Sequence, residues 1–267
     1  MNKDPETVLV KFFTGLRIPQ AGERTVLGPE EMKKAAAEEA VNRFVRDGMA
    51  LGLGTGSTAY YAIRKIGEMV SAGCDFICVA TSVQSENLAR SLGIKTAELD
   101  EVGSLDVTID GADEIDPDLQ LIKGLGGALL REKIVAAATV KEVIVADGGK
   151  AVEKLGTKVP LPVEVLKFGH EHTARALRRF GCEPVLRMSG SDPFVTDGGN
   201  LIYDCRFGGI DRPFYLEMAL DSVPGVVENG LFLNTACEAV VCDSGGAVRF
   251  MSEGVRGKRE QDEIRMI

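Results

Sequence analysis

Strand-like and helix-like periods alternate without a break between residues 49 and 147. The runs "MALGLG", "FICVAT", "LDVTID" and "EVIVAD" have the alternating or unbroken apolar character of buried strands. Between them, "STAYYAIRKIGEM", "SENLARSLG" and "ALLREKIVAAAT" repeat apolar residues at helical spacing. A strand followed by a helix before the next strand cannot close a hairpin. The crossover brings the chain back in the same direction, and its handedness places helices on both faces. An α/β fold with a parallel, doubly wound sheet is therefore predicted. A helix should precede it over "PEEMKKAAAEEAVNRFVRDG". Pro29 and two glutamates suit its first turn, Met32, Ala36, Val41, Phe44 and Val45 share one face, and Gly48 suits the stop.

After Lys158 the rhythm changes. Strand "VPLPVEVLKF", helix "HTARALRRFG", strands "PVLRM" and "NLIYDCRF", helix "YLEMALDSV" and strand "VENGLF" follow in turn. That β-α-β-β-α-β order is ferredoxin-like, an α+β arrangement. The strand "CEAVVCD" is expected to rejoin the first sheet, which makes the second unit an insertion. The expected organisation is an N-terminal extension (1–28), a first domain (29–157, completed by 236–267) and the inserted domain (158–235). The charged end "EGVRGKREQDEIRMI" reads as a solvated tail or a final helix.

Composition excludes several functions. A net charge of −9 and a pI near 5.0 argue against nucleic acid or an anionic membrane as partner, because both require basic surface. An anionic ligand must then be held by a few local donors. No apolar run approaches the ~18 residues of a membrane span. "MNKDPETVLVKFF" places Asp4, Pro5 and Glu6 ahead of its apolar run, unlike a secretory leader. The six cysteines form no C-x-x-C pair and sit in apolar contexts, as reduced thiols do in a cytoplasmic protein. His170 and His172 cannot complete a metal site alone, so no metal is expected.

Four segments carry chemistry. In "GLGTGSTA", Gly52, Gly54 and Gly56 permit close backbone approach, while Thr55, Ser57 and Thr58 add hydroxyls beside the free N–H groups of a helix start. Such a turn cradles an anion, or is simply tight. As a dinucleotide fingerprint it fails in part: Ser57 stands at the third glycine position, and "FICVATS" ends in Thr81 and Ser82 instead of an acid. A lone phosphate fits better. In "LDVTIDGADEID", an apolar strand delivers Asp110, Asp113, Glu114 and Asp116 within seven residues. The spacing is not that of an EF-hand. Either this is a solvated turn, or Asp110 and Asp113 stand at a strand's carboxyl end, where open α/β sheets bind ligands. In the second case the acids converge to accept several hydroxyls of one ligand, their repulsion offset by lysines. In "KGLGGALLREK", Glu132 is either a surface glutamate paired with Lys133 or Arg131, or a general base beside Lys123. In "VADGGK", Lys150 can meet a phosphate.

In this order and spacing, "GLGTGSTA", "DGADEID", "KGLGGALLREKIVA" and the lysine after "VAD", with "LPVEV" and "PGVVENGLF", resemble type A ribose-5-phosphate isomerase from about residue 30 to 250. The resemblance implies a Rossmann-like, mostly parallel sheet with a smaller α+β domain. It further implies a homodimer or homotetramer that needs neither metal nor cofactor and acts on a small sugar phosphate. The implied reaction interconverts D-ribose 5-phosphate and D-ribulose 5-phosphate through a cis-enediol(ate), in the non-oxidative pentose phosphate pathway. Carried over by position, Thr55, Gly56, Ser57 and Thr58 form the phosphate-side loop. Asp110, Gly111, Ala112 and Asp113, with Lys123, Gly124, Leu125 and Gly126, contact substrate. Glu132 is the proton acceptor, Lys123 steadies the oxyanion, Asp110 or Asp113 relays hydroxyl protons, and Lys150 binds substrate. Lys33 or Lys34 matches an N-terminal lysine that reaches the phosphate. Two departures stand out: "ADGGK" lacks the serine many members place before the lysine, and residues 1–28 have no counterpart. The competing functions are a nicotinamide-dependent dehydrogenase, which predicts NAD(H) binding, and a non-catalytic sugar-phosphate sensor, which has no use for Glu132 or Lys123.

Overall fold

The structure is a computed structural model that describes residues 26–252. Most of the N-terminal extension and the charged end from residue 253 lie outside the described residues. In chain order the first region contains α1 (Pro29–Phe44), β1 (Ala50–Leu53), α2 (Ser57–Ser71), β2 (Ile77–Ala80), α3 (Val83–Ser91), the single turn α4 (Leu99–Val102) and β3 (Leu105–Gly111). It continues with β4 (Glu114–Ile115), β5 (Leu121–Ile122), α5 (Leu129–Ala137) and β6 (Thr139–Asp147). The second region contains β7 (Leu161–Val165), α6 (His170–Leu177), β8 (Glu183–Leu186), β9 (Met188–Ser189), β10 (Asp192–Pro193), β11 (Leu201–Arg206), α7 (Pro213–Asp221) and β12 (Val226–Asn229). β13 (Leu231–Phe232), β14 (Ala236–Cys242) and β15 (Val248–Ser252) follow.

The main sheet runs β15-β14-β6-β3-β1-β2. Its pairs are parallel except β14 with β15. Leu51, Leu53, Val107, Ile109, Val143 and Val145 point to one face and are buried against α1 and α2. α1 turns Ala36, Ala37, Ala40 and Val41 inward; three alanines on one face let its backbone lie close to β6 and β14. The opposite face, with Ile144, Ala146 and Ala239, packs against Leu129 of α5 and Phe232 of β13.

The second sheet runs β12-β7-β11-β8, every pair antiparallel. With α6 and α7 this is the β-α-β-β-α-β connectivity, interrupted by the β9–β10 hairpin. "VENGLF", expected as one strand, divides at Gly230. β12 pairs with β7, and β13 joins a third sheet, β13-β5-β4. A side chain at Gly230 would overlap the carbonyl of Lys123. That close crossing is locked by Lys123 N–H to Gly230 O (2.9 Å) and Gly230 N–H to Pro162 O (2.8 Å). The β4–β5 hairpin and β15 were not expected: two-residue strands fall below any periodicity, and "AVRFMS" presents little apolar alternation.

Candidate active site

The site forms where β1, β3 and β6 end. Gly52 lies beside Thr108 in register, and a Cβ at Gly54 would overlap the Asp110 carboxylate. The two glycines thus let the Asp110 side chain tuck under the end of β1. There its Oδ1 accepts the N–H groups of Thr55 (3.0 Å) and Gly111 (2.7 Å). Its Oδ2 lies 3.0 Å from Lys123 Nζ. Asp110 is fully buried.

Lys123 extends from the end of β5, 2% exposed. Its Nζ donates to Gly111 O at 2.5 Å and stands 3.6 Å from Glu132 Oε1. Burial alone would discharge such a lysine. The negative charges of Asp110, Glu132 and Glu142 outweigh it and hold the ammonium above its ordinary range. Glu132, the fourth residue of α5, is 4% exposed, and its Oε2 has no hydrogen-bond partner. Burial, opposed by Lys123 and reinforced by Asp110, Asp113 and Glu142, pushes its carboxyl up to about 8. The surface-glutamate alternative does not hold. Lys133 turns instead to Glu228 (2.7 Å), Asn229 O (2.9 Å) and Glu217 (3.6 Å).

Asp113 accepts the Leu125 N–H at 2.9 Å through Oδ2, and its Oδ1 is 3.9 Å from Lys150 Nζ. At the other end of the site, Gly56 precedes α2 with φ +108. The first intrahelical bond is Tyr60 N–H to Gly56 O, so the N–H groups of Ser57, Thr58 and Ala59 stand at the open end of the helix. The Thr55 hydroxyl turns inward to Thr81 (2.7 Å), Ser82 (2.8 Å) and Ser85 (3.3 Å).

These groups enclose a cavity of about 70 Å³, lined by Thr55, Gly56, Ser57, Thr58, Gly111, Ala112, Asp113, Lys123, Gly124, Gly126, Glu132 and Lys150. Two residues expected to touch substrate are absent from that lining. Asp110 lies beneath it, committed to two N–H groups and Lys123, and Leu125 contributes its backbone N–H to Asp113. Lys33 pairs with Glu30 at 2.7 Å and Lys34 with Glu38 at 3.8 Å; neither lines the cavity.

Sequence reasoning missed three supports. The hydroxyls of Thr81, Ser82 and Ser85 hold Thr55. Glu142 on β6 is 1% exposed, with neither carboxylate oxygen partnered. Its alternation with the buried Ile144 and Ala146 was the available signal. Burial pushes its carboxyl up to about 7, against the pull of Lys123 and with the push of Asp110. Arg187 reaches the loop after Lys123, with Nη1 2.9 Å from Gly124 O and 3.0 Å from Leu125 O. Among the described residues no group of three or more His, Cys, Asp or Glu is placed to hold a metal ion, and no helix is long and apolar enough to cross a membrane.

The comparisons with known proteins agree with one another. Residues 77–246 match the family described as ribose 5-phosphate isomerase A (phosphoriboisomerase A). Ribose-5-phosphate isomerase A of Gloeobacter violaceus is 51% identical over 216 residues, covering 80% of this chain and 94% of that protein. A solved D-ribose-5-phosphate isomerase in complex with phospho-erythronic acid superposes with a TM-score of 0.82 at 41% identity, over 85% of this chain and all of that one. Ribose 5-phosphate isomerase of Plasmodium falciparum does so with a TM-score of 0.82 at 36% identity, over 84% and 98%. With a family match across most of the described residues and half of the aligned residues identical to a relative covered almost end to end, this chain belongs to the ribose 5-phosphate isomerase A family.

Proposed function

We propose that this protein interconverts D-ribose 5-phosphate and D-ribulose 5-phosphate through a cis-enediolate, a step of the non-oxidative pentose phosphate pathway. One observation carries the assignment of roles: a buried glutamate with a free oxygen faces a buried ammonium across 3.6 Å in the wall of one cavity. A proton α to a carbonyl is weakly acidic, so its removal needs a strong base within reach and a cation at the developing oxyanion. Glu132, its basicity raised by burial, takes the proton from C2 of the open-chain aldose and returns it to C1. As the C2–H bond breaks, its electron pair forms the C1=C2 bond and the carbonyl pair moves to O1. Lys123 holds that oxygen's charge. Transfer of the O2 proton to O1 and reprotonation at C1 complete the ketose.

Asp113, in the cavity wall, accepts substrate hydroxyls. Asp110 acts through Lys123, keeping the ammonium charged and in place. The phosphate sits at the open N-terminus of α2, where the N–H groups of Ser57 and Thr58 and the helix dipole favour an anion, with Lys150 as the nearby cation. Anchoring the remote phosphate orients the reacting carbons. Self-association into a homodimer or homotetramer and a cytoplasmic location complete the proposal.

The dehydrogenase alternative needs an acid for a ribose at the end of β2. Thr81 and Ser82 stand there instead, bonded to Thr55. The decisive assay adds D-ribose 5-phosphate in EDTA and follows ketose formation. Glu132→Gln is expected to lower kcat by roughly 10²-fold or more with KM little changed. Near-normal turnover in that variant would remove Glu132 from the role of base.

A further inference from the structure

The loop between β5 and α5 makes a tight turn. Gly124 (φ +104) and Gly127 (φ +84) are both left-handed, and Gly127 N–H bonds Gly124 O at 3.0 Å. Nothing in α5 or β5 holds the two carbonyls on its outer side. They are held by Arg187, between β8 and β9, more than sixty residues away. The guanidinium is fixed by the Asp204 carboxylate on β11, through Nε to Oδ2 (3.0 Å) and Nη2 to Oδ1 (2.5 Å). That two-point pairing leaves Nη1 aimed at the loop, where it bridges Gly124 O and Leu125 O. Phe194, whose N–H donates to Arg187 O at 2.9 Å, lies under the guanidinium at 5.9 Å and covers Gly127, where a Cβ would overlap its ring. The residues flanking the β9–β10 hairpin therefore grip both ends of the turn.

The peptide group is planar and trans, so a carbonyl and the following N–H point in opposite directions. Two adjacent carbonyls drawn to one nitrogen turn the next two N–H groups the other way. The first, of Leu125, reaches Asp113 Oδ2 at 2.9 Å. The second belongs to Gly126, which lines the cavity. We propose that Arg187 is a positioning residue of this site: by holding the carbonyls of Gly124 and Leu125, it aims the Leu125 N–H at Asp113 and presents the Gly126 N–H to a substrate oxygen. Its charge also polarises both peptides and makes those N–H groups stronger donors. Lysine cannot substitute, because a single ammonium cannot span Asp204 in two places and two carbonyls at once. The inference deepens the isomerase reading and rests on it for the identity of the oxygen.

The test uses Arg187→Lys, Arg187→Ala and Asp204→Asn in the full chain, assayed with D-ribose 5-phosphate and titrated calorimetrically with phospho-erythronic acid, each well below its melting midpoint. KM and the Kd of the acid should rise about tenfold in Arg187→Lys, with a smaller rise in Asp204→Asn. The ¹⁵N–¹H resonances of Leu125 and Gly126 should shift in both variants. Arg187→Lys combined with Asp113→Asn should cost less than the sum of the single changes, because both act on the Leu125 peptide. Wild-type KM, Kd and amide shifts in Arg187→Lys, or strict additivity with Asp113→Asn, would overturn the proposal even if Arg187→Ala fails to fold. Loss of isomerase activity in the wild-type protein would instead sink the functional reading, while acid binding and the amide shifts would still judge Arg187.

Discussion

Replacing Lys123 by Met gives the sharpest test of the buried charge cluster. Methionine keeps most of the side-chain volume, so packing changes little and the loss is chiefly electrostatic. The ammonium lies 3.0 Å from Asp110 Oδ2 and 3.6 Å from Glu132 Oε1, all three side chains being nearly inaccessible. Its removal strips Oδ2 of its cation and leaves Asp110 with two N–H groups only. Breaking a buried pair from one side costs on the order of 3–5 kcal/mol. The cost must also depend on pH. Glu132 already has its carboxyl raised from 4.5 to about 8, with Lys123 the only charge among its causes that lowers it. Without Lys123 the folded value rises further. A carboxyl raised above its unfolded value binds protons more tightly in the folded state, so stability falls as pH climbs from 4.5 through the folded value. Lys123→Met extends that fall to higher pH. Urea midpoints at pH 5.5, 7 and 9, with m unchanged, should therefore show a penalty that grows with pH and reaches several kcal/mol at pH 9. The kcat should fall about 10²–10³-fold, as for loss of an oxyanion partner. A penalty below about 1 kcal/mol, or one equal at pH 5.5 and 9, would refute the reasoning.

Two further outcomes follow from the same cluster. In the role proposed for it, Glu132 acts only when ionised, and with its carboxyl raised to about 8 the kcat/KM of the free enzyme should climb about tenfold per pH unit on its acid side and level near that value; a flat profile between pH 6 and 8 would contradict that role. Glu142, raised from 4.5 to about 7 by burial, loses stability as pH rises through that window. Glu142→Gln should therefore stabilise the protein by on the order of 2–3 kcal/mol above pH 7 and by little at pH 5, measured by urea melts at both; equal midpoints at pH 8 would show the carboxylate to be better solvated than its surroundings imply.

The elements that build the main sheet were legible because each is long enough to display its period. "STAYYAIRKIGEM" and "LDVTID" announce a helix and a strand, and residues at the ends of such elements must gather at one edge of a parallel sheet. Thr55 and Lys150, at the ends of expected strands, could be placed from order for that reason, whereas the roles of Lys123 and Glu132 rested on the resemblance of "KGLGGALLREK" to the isomerase family. What escaped was set by single long-range contacts. The split of "VENGLF" depends on a carbonyl from residue 123 passing against Gly230. The hold of Arg187 on Gly124 and Leu125 depends on Asp204 fixing its fork. Neither leaves a period in the sequence, since an arginine near a sheet edge reads as solvent-facing wherever its partners are unknown.

The acidic run at residues 110–116 was expected to converge on the hydroxyls of one ligand, its repulsion offset by lysines. The structure disperses it instead, and backbone amides do most of the work. Asp110 accepts Thr55 and Gly111 N–H under the end of β1, and Asp113 accepts Leu125 N–H in the cavity wall. Glu114 turns to the opposite side to accept the N–H groups of Gly156, Lys158 and Val159. Asp116 closes the β4–β5 turn by accepting Asp118 and Gln120. Asp110 is in β3, Asp113 lies between β3 and β4, Glu114 is in β4 and Asp116 follows it, so acids crowded in sequence are separated by the breaks between these elements. Each of these carboxylates accepts backbone N–H groups and so fixes one segment of the chain. Only Asp110 is also given a buried ammonium, and by sequestering its charge there it leaves the oxygen of Glu132 without a competing donor. The same acids that look redundant in sequence thus build the frame, and Glu132 keeps an oxygen without a partner because the frame takes the available donors.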